Sequence, residues 1–144
     1  MYKANHFKLY ELLPRWFYER NKHLGDRLWL MFDDRALWTA DQLWELYGPT
    51  VIANDWYWGG NNRYRGWRPW NCKVGADLSQ HKFGRALDQK FKYATAEEVR
   101  QDIKKDPWKD EFQYIKSIED NVSWLHFDTR NWDKQRYGLL IVRP

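Results

Sequence analysis

The chain has 144 residues, the usual size of one domain, and a mildly basic composition with a formal net charge of +4. Its mean hydropathy is strongly polar at -0.93, yet 19% of its residues are aromatic, 11 of them tryptophan. Tryptophan and tyrosine score as polar but bury large apolar areas when packed. Disordered chains are poor in aromatic residues, so the composition excludes disorder for most of the chain and predicts one compact domain, residues 1–144.

Simple features exclude several other classes of protein. No stretch approaches the roughly eighteen apolar residues of a membrane helix, so we expect no membrane partner. The single cysteine, Cys72, excludes an intrachain disulfide and a multi-cysteine zinc site. Residues 1–12 lack the features of a secretory signal, so we expect synthesis in the cytoplasm without a signal peptide. The positive charge suits an anionic polymer such as nucleic acid or cell wall and specifies neither.

The first half of the chain predicts two helical stretches and a strand. Residues 9–20 form the first stretch, which Pro14 interrupts, so a short helix followed by a turn is expected. Residues 39–47 form the second, with Thr39 and Gln42 as a capping box and Gly48 at its end. Residues 50–58 then predict an extended strand.

The second half begins with a long loop and ends in strands. Residues 61–77 are rich in Gly, Asn, Pro and Arg and predict a surface loop, a type that is usually functional at this length. Residues 95–105 predict a helix capped by Thr95 and Glu98. Residues 122–130 and 137–142 predict strands. Helices that precede strands, without regular alternation, favour an α+β fold with a small antiparallel sheet flanked by helices.

Residues 79–88 contain the first candidate site. If residues 84–88 are extended, Gly84, Ala86 and Asp88 share one strand face. The two small residues then leave open space, in which His81 can fold back towards Asp88. The alternative is that His81 and Asp88 form a salt bridge on the surface. A histidine with an aspartate seven positions later is by itself weak evidence of a functional site, because this spacing also arises by chance.

Residues 122–130 contain the second candidate site. In a strand, Trp124, His126, Asp128 and Arg130 point to one side, and the other side supplies core. Two histidines and one aspartate from separate segments would complete a zinc site with three protein ligands and one open position. Zinc lowers the pKa of a water in that position towards neutrality, which generates a nucleophile. The alternative is a polar strand face without a metal.

Both segments carry motifs of a known enzyme family. The motifs are Ser79-x-His81-x-x-Gly84-x-Ala86-x-Asp88 and Trp124-x-His126. They resemble the signature of the M15 family of zinc peptidases, which are D-alanyl-D-alanine carboxypeptidases and phage L-alanyl-D-glutamate endopeptidases. Upstream, residues 65–69 are similar to the family's Ser-Gly-Tyr-Arg segment, and residues 7–12 are similar to the start of many small phage members. The resemblance covers nearly the whole chain and implies a hedgehog/DD-peptidase-like fold.

The resemblance also implies roles for individual residues. His81, Asp88 and His126 would be the ligands of one Zn²⁺ per chain. Arg68 would bind and polarise the scissile carbonyl, as a fixed positive charge beside a developing oxyanion does. Ser79 and Trp124 would line the substrate pocket, although Ser79 is equally well explained as a turn serine.

One position departs from the family pattern. Many members have a catalytic Glu or Asp three residues before the last histidine ligand, and here that position is Ser123. Asp120 stands six residues before His126, an offset that resembles the acidic residue of hedgehog domains. Asp128 shares the strand face of His126 and is the second candidate base. Its alternative role is to support His126 or to form a salt bridge with Arg130.

The aromatic residues of the long loop allow two interpretations. Tryptophans interleave with arginines there; the tryptophans are Trp56, Trp58, Trp67 and Trp70, and the arginines are Arg63, Arg65 and Arg68. Such a surface could stack bases or sugar rings. Aromatic packing and cation–π contacts beneath the zinc pocket are the interpretation we favour.

Three functions follow as expectations. The first is a monomeric zinc peptidase that cleaves peptidoglycan stem peptides, released onto the cell wall as a phage endolysin or carried in a virion. The second is a zinc-binding structural or partner-binding module without hydrolysis, because Ser123 replaces the usual acid. The third, an aromatic-rich nucleic-acid binder, would show binding that falls steeply with salt, and we do not expect it.

Overall fold

The computed structural model describes the backbone of all 144 residues and every side chain except those of residues 50–52. Short 3-10 segments lie at Lys22–Met31, Trp56–Trp58, Gln80–Phe83 and Asp110–Phe112. The helices are α1 (Leu9–Leu12), α2 (Arg15–Asn21), α3 (Asp34–Tyr47), α4 (Ala96–Lys105) and α5 (Lys134–Tyr137). The strands are β1 (Thr50–Ile52), β2 (Ala86–Phe91), β3 (Ser117–Glu119), β4 (Leu125–Asp128) and β5 (Leu140–Val142).

The strands form one sheet in the order β1-β2-β4-β3-β5. The first three pairings are antiparallel, whereas β3 and β5 are parallel. A parallel pair needs a crossover connection, and here the chain passes through β4 and α5 between the two strands. The expected α+β fold with a small sheet flanked by helices is confirmed, and the sheet is antiparallel except at this edge.

Helix α3 begins five residues before its predicted start. Asp33 caps it, since its carboxylate accepts a hydrogen bond from the backbone N–H of Arg35 at 2.9 Å. Thr39, the predicted cap, is instead fully buried inside the helix. The predicted end is correct, because Gly48 follows the last helical residue with φ of +79°. Pro14 separates α1 from α2 as expected, although the chain resumes as a helix rather than a turn.

Helix α4 agrees with its prediction, and it contacts the residues that precede β4. Thr95 and Glu98 form the reciprocal capping box. Arg100, which is 4% exposed, donates to the carbonyls of Trp124 and Val122 at 2.8 and 2.9 Å. These bonds hold residues 122–124 in a bend, so β4 begins at Leu125 rather than at the predicted residue 122.

The predicted strand over residues 50–58 is too long. Strand β1 ends at Ile52, and Trp56–Trp58 forms a helical turn. The indole N–H of buried Trp56 donates to the carbonyl of Leu13 at 2.8 Å, which draws the chain away from the sheet. The predicted strand over residues 137–142 is likewise shortened to Leu140–Val142, because α5 continues to Tyr137.

The two faces of the sheet differ in chemistry. One face carries the apolar core, in which Leu87, Phe127 and Ile118 from three strands are almost fully buried against the helices. The opposite face of the same strands carries polar residues, since strand side chains alternate. No described helix has the length and apolar character needed to cross a membrane.

Candidate metal centre

Strand register brings two of the predicted ligands together. In the antiparallel pair β2–β4, Asp88 lies directly opposite His126, and such partners have Cβ atoms about 5 Å apart. Their side chains project from the polar face of the sheet and are each 6% exposed. The backbone of the central strands therefore places a carboxylate beside an imidazole.

His81 reaches the same point from the 3-10 turn Gln80–Phe83. Gly84 ends this turn with φ of +67°, and a Cβ built there would lie 1.9 Å from the carbonyl oxygen of Met31. Only glycine fits both the backbone conformation and this close approach. The turn folds the chain back, so that the ring of His81, 1% exposed, lies beside Asp88.

The three side chains present one ligand atom each to a common point. Nε2 of His81 lies 3.2 Å from Oδ1 of Asp88 and 3.3 Å from Nδ1 of His126. Oδ1 of Asp88 lies 2.7 Å from Nδ1 of His126. The edge of a tetrahedron with zinc bonds of 2.0–2.1 Å is about 3.3 Å, so this spacing is close to that of zinc ligands. The buried group could hold a metal ion.

The remaining ring nitrogens have partners that orient both imidazoles. Nδ1 of His81 lies 2.7 Å from the carbonyl oxygen of Gly66 and donates to it, which leaves Nε2 free to bind a cation. Nε2 of His126 lies 3.4 Å from Oδ2 of Asp128, which leaves Nδ1 for the same purpose. A second set of acceptors that fixes the tautomers is typical of metal-binding histidines.

The carboxylates of the group stabilise a positive charge on His126. Burial raises the pKa of Asp88, but its Coulombic interaction with His81 and its hydrogen bond with His126 outweigh this effect and hold the pKa well below its usual range. Burial lowers the pKa of His126, but hydrogen bonds to Asp128 and Asp88 outweigh it and raise the pKa to about 10. A proton on His126 and a metal ion would therefore compete for one position.

Arg68 lies in this group and is only 8% exposed. Its guanidinium donates to Oδ2 of Asp88 at 3.1 Å and to the carbonyls of Tyr64 and Val74 at 2.6 and 3.3 Å. A guanidinium has five N–H donors, so two remain for another acceptor. Arg68 thus lies beside the three ligand candidates and contacts one of them, Asp88.

The two predicted bases differ in position. Asp120 forms an ion pair with Lys104 at 2.7 Å and is absent from the cavity lining described below. Asp128 is completely buried and contacts both His126 and Arg130, so it has the supporting role left open by the sequence. Neither carboxylate faces the open side of the group, while Ser123 is exposed outside it.

Glu119 is the acidic residue that the sequence reasoning missed. The β3–β4 register pairs Ser117 with Asp128, and continued by two residues it sets Glu119 opposite His126. Oε1 of Glu119 lies 4.0 Å from Nδ1 of His126, and its side chain is 22% exposed. The sequence signal for this strand is the succession of a small, an apolar and an acidic residue in Ser117–Glu119. A segment of three residues is too short to predict a strand.

A cavity of about 390 Å³ gives access to the group. Its lining includes the three ligand candidates together with Arg68 and Glu119. The predicted pocket residues Ser79 and Trp124 also line it. No hydrogen bond of the Ser79 hydroxyl to another described residue is present, and its backbone forms turn bonds to residues 76 and 82.

The loop tryptophans divide between the two interpretations. Trp56 is buried and Trp67 packs against Phe17, as the packing interpretation expects. Trp58 and Trp70 are each 63% exposed and available to a ligand.

Comparison of the chain with protein-family models, with curated proteins and with solved structures finds no match.

Proposed function

We propose that this protein is a zinc peptidase that hydrolyses amide bonds in the stem peptides of peptidoglycan. The observation that carries the proposal is the buried group of His81, Asp88 and His126 beside a cavity that also holds Arg68 and Glu119. The substrate class comes from the resemblance of the sequence motifs to the M15 peptidases. Such an enzyme would act as a phage endolysin after release onto the wall, or as part of a virion.

The donor set favours zinc over harder cations. Two imidazoles and one carboxylate suit zinc, whereas magnesium and calcium prefer oxygen ligands alone. Three protein ligands are the number found in catalytic zinc sites. When bound, the ion would supply Lewis acidity, which lowers the pKa of water and polarises a carbonyl.

Glu119 is the general base of the proposed reaction. Its carboxylate is partly exposed in the cavity and lies 4.0 Å from His126. There it can accept a proton from the attacking water and deliver it to the departing amine, since a general base must lie within reach of both. Many M15 peptidases have the catalytic acid at the position of Ser123. We assign this role to Glu119 here, in preference to Asp120 and Asp128.

Arg68 stabilises the developing negative charge. Its contacts with Asp88 and two backbone carbonyls fix the guanidinium, and two N–H groups remain for the carbonyl oxygen of the substrate. A donor that is oriented in advance and shielded from water needs no rearrangement during the reaction. Mutation of such a donor typically slows catalysis by about 100- to 1000-fold.

The alternative of a silent zinc module depended on the absence of a base at Ser123. Glu119, on another strand, provides a carboxylate at the same cavity. A general base needs the right position in space and not a particular place in the sequence, so the lack of an acid at Ser123 no longer argues against hydrolysis. The enzyme is therefore the function that the geometry supports better.

The test is incubation of zinc-loaded protein with purified peptidoglycan, with new amino termini labelled and identified. We expect termini to appear with wild-type protein and to be absent with His126→Ala. His23→Ala, which removes an exposed histidine outside the group, is the matched control. Zinc-loaded, folded protein that releases no amino termini from walls of several peptide compositions would contradict the proposal.

A further inference from the structure

A second cavity, of about 500 Å³, lies outside the proposed catalytic machinery. One wall is the start of helix α2, including Arg15, Trp16 and Glu19. The other is the loop after Trp56–Trp58, including Asn61 and Arg63. We call it the aromatic cavity; it is the part of the long tryptophan-rich loop that the proposed function does not explain.

The two walls are fixed to each other before any ligand binds. The indole of Trp56 donates to the carbonyl of Leu13, immediately before α2. Within the loop, the carboxylate of Asp55 accepts hydrogen bonds from the backbone and side-chain nitrogens of Asn62 at 2.7 and 2.5 Å. A cavity with prearranged walls binds a ligand without the cost of ordering a loop.

The lining combines one flat apolar surface with several polar groups. The ring of Trp16 is 50% exposed and contacts Phe17 only edge-on. Arg15 and Glu19 form an ion pair at 3.0 Å and supply donors and acceptors. Arg63 is exposed, and no ion pair joins it to another described side chain. A pyranose ring has an apolar C–H face and hydroxyls at its edge that both donate and accept, so it matches this lining.

A third cavity lies between the aromatic cavity and the cavity of the metal centre. This third cavity, of about 240 Å³, shares Asn61, Arg63 and Tyr64 with the aromatic cavity. The same third cavity shares Arg68 and Trp124 with the cavity of the metal centre. An extended ligand laid along these three neighbouring cavities would contact the metal centre and the aromatic cavity together.

We propose that the aromatic cavity binds sugar units of the glycan strand that carries the cleaved stem peptide. The identity of this glycan rests on the proposed function. Peptide and sugar are covalently joined in peptidoglycan, so binding of the sugar raises the effective concentration of the peptide at the metal centre. A saccharide is favoured over a nucleic acid because Glu19 neutralises Arg15, which leaves Arg63 as the one unpaired charge among the described lining residues, whereas a phosphate backbone is bound by several cations.

The test measures saccharide binding by the full-length protein as purified, with peptide-free probes, so that it is independent of hydrolysis. The probes are chitohexaose and glycan strands stripped of their peptides, and the readout is calorimetry. We expect Trp16→Ala and Arg63→Ala each to weaken binding by about tenfold, the size expected for a lost ring or polar contact. Trp70→Ala, which removes another exposed tryptophan with one edge-on partner, should change binding by less than about twofold.

The outcomes separate this inference from the proposed function. Absence of saccharide binding, or binding unchanged in both cavity variants, overturns the inference whatever the hydrolytic activity. Tighter and strongly salt-dependent binding of a single-stranded oligonucleotide also overturns it, in favour of nucleic acid. Saccharide binding that the variants weaken supports the site, even if zinc-loaded protein fails to hydrolyse peptidoglycan, a result that would count against the proposed function alone.

Discussion

Nε2 of His126 lies 3.4 Å from Oδ2 of Asp128, the residue two positions further along strand β4. Residues at this spacing share a strand face, so the sequence itself places the carboxylate beside the imidazole. Arg130 holds the other side of Asp128 through its Nε, 2.8 Å from Oδ1. The carboxylate is completely buried between a histidine and an arginine, and it fixes the ring nitrogen with which His126 faces Asp88.

Asp128→Asn should weaken zinc binding without abolishing it. Partners that orient a ligand histidine typically contribute about 10- to 100-fold to metal affinity. We expect a loss in this range by competition with a chelator of known affinity. Asp120→Asn, in which the changed residue pairs with Lys104 outside the cavity, should keep wild-type affinity. Equal affinity of Asp128→Asn and wild type would show that Asp128 does not orient His126.

Glu119→Gln should lower kcat while the protein still binds one zinc. Removal of a positioned general base typically costs about 100- to 10,000-fold in rate. Asp120→Asn is the matched control, because it changes the neighbouring carboxylate in the chain and should keep kcat within about twofold. Rate measurements on zinc-saturated variants separate the two residues. A slow Asp120→Asn beside an active Glu119→Gln would reverse the assignment.

Gly84→Ala should destabilise the fold and detach His81 from its partners. The added Cβ would lie 1.9 Å from the backbone oxygen of Met31, which cannot move freely. The clash with Met31 and the left-handed backbone conformation of an alanine both destabilise the folded state. Together we expect them to lower the free energy of unfolding by about 3–4 kcal/mol. Gly59→Ala is the control, because φ is +85° there but nothing lies within 4 Å of the added carbon.

Denaturant unfolding measures both glycine variants. The Gly59→Ala control should lose only about 1–2 kcal/mol, the cost of the backbone conformation alone. Similar losses in the two variants would mean that the contact with Met31 is relieved at little cost.

Lys134 should make stability depend on pH in the alkaline range. Burial lowers its pKa to about 8, with a contribution from the charge of Lys116, whereas the ordinary value is 10.5. Between these values the unfolded chain holds more protons than the folded one, so the free energy of unfolding rises with pH. The shift corresponds to a rise of up to about 3 kcal/mol.

The control for this dependence is Lys134→Met, which keeps the buried apolar stem and removes the titrating amine. Urea unfolding at several pH values should show the rise in wild type and its absence in the variant. Identical pH profiles would mean that the hydrogen bonds from Lys134 to the carbonyls of Pro107 and Phe112 keep the amine charged in the fold.

The sequence predicted which residues lie together where they are close in the chain or share one face of a strand. His81 and Asp88 are linked by one short turn, and His126 and Asp128 share a strand face. Glu119 was not predicted, because its place depends on the pairing of β3 with β4 across the sheet. Register between separate strands is set by tertiary packing, which periodicity within a segment does not reveal.

The boundaries of the elements were predicted less well for the same reason. Thr39 and Gln42 have the spacing of a capping box, but Asp33 already caps the helix. Residues 122–124 have a strand-like pattern, but Arg100 from a distant helix holds their carbonyls in a bend. In both cases a competing hydrogen bond, which local propensity does not include, decides where the element begins.

We propose that metal bound by His81, Asp88 and His126 enables hydrolysis of stem peptides. The most direct test titrates metal-free protein with zinc and measures the initial rate of amino-terminus release from peptidoglycan at each occupancy. We expect a rate that rises in proportion to bound zinc and reaches its plateau at one zinc per chain. Release of amino termini by the zinc-free protein, or none at full occupancy, would contradict it.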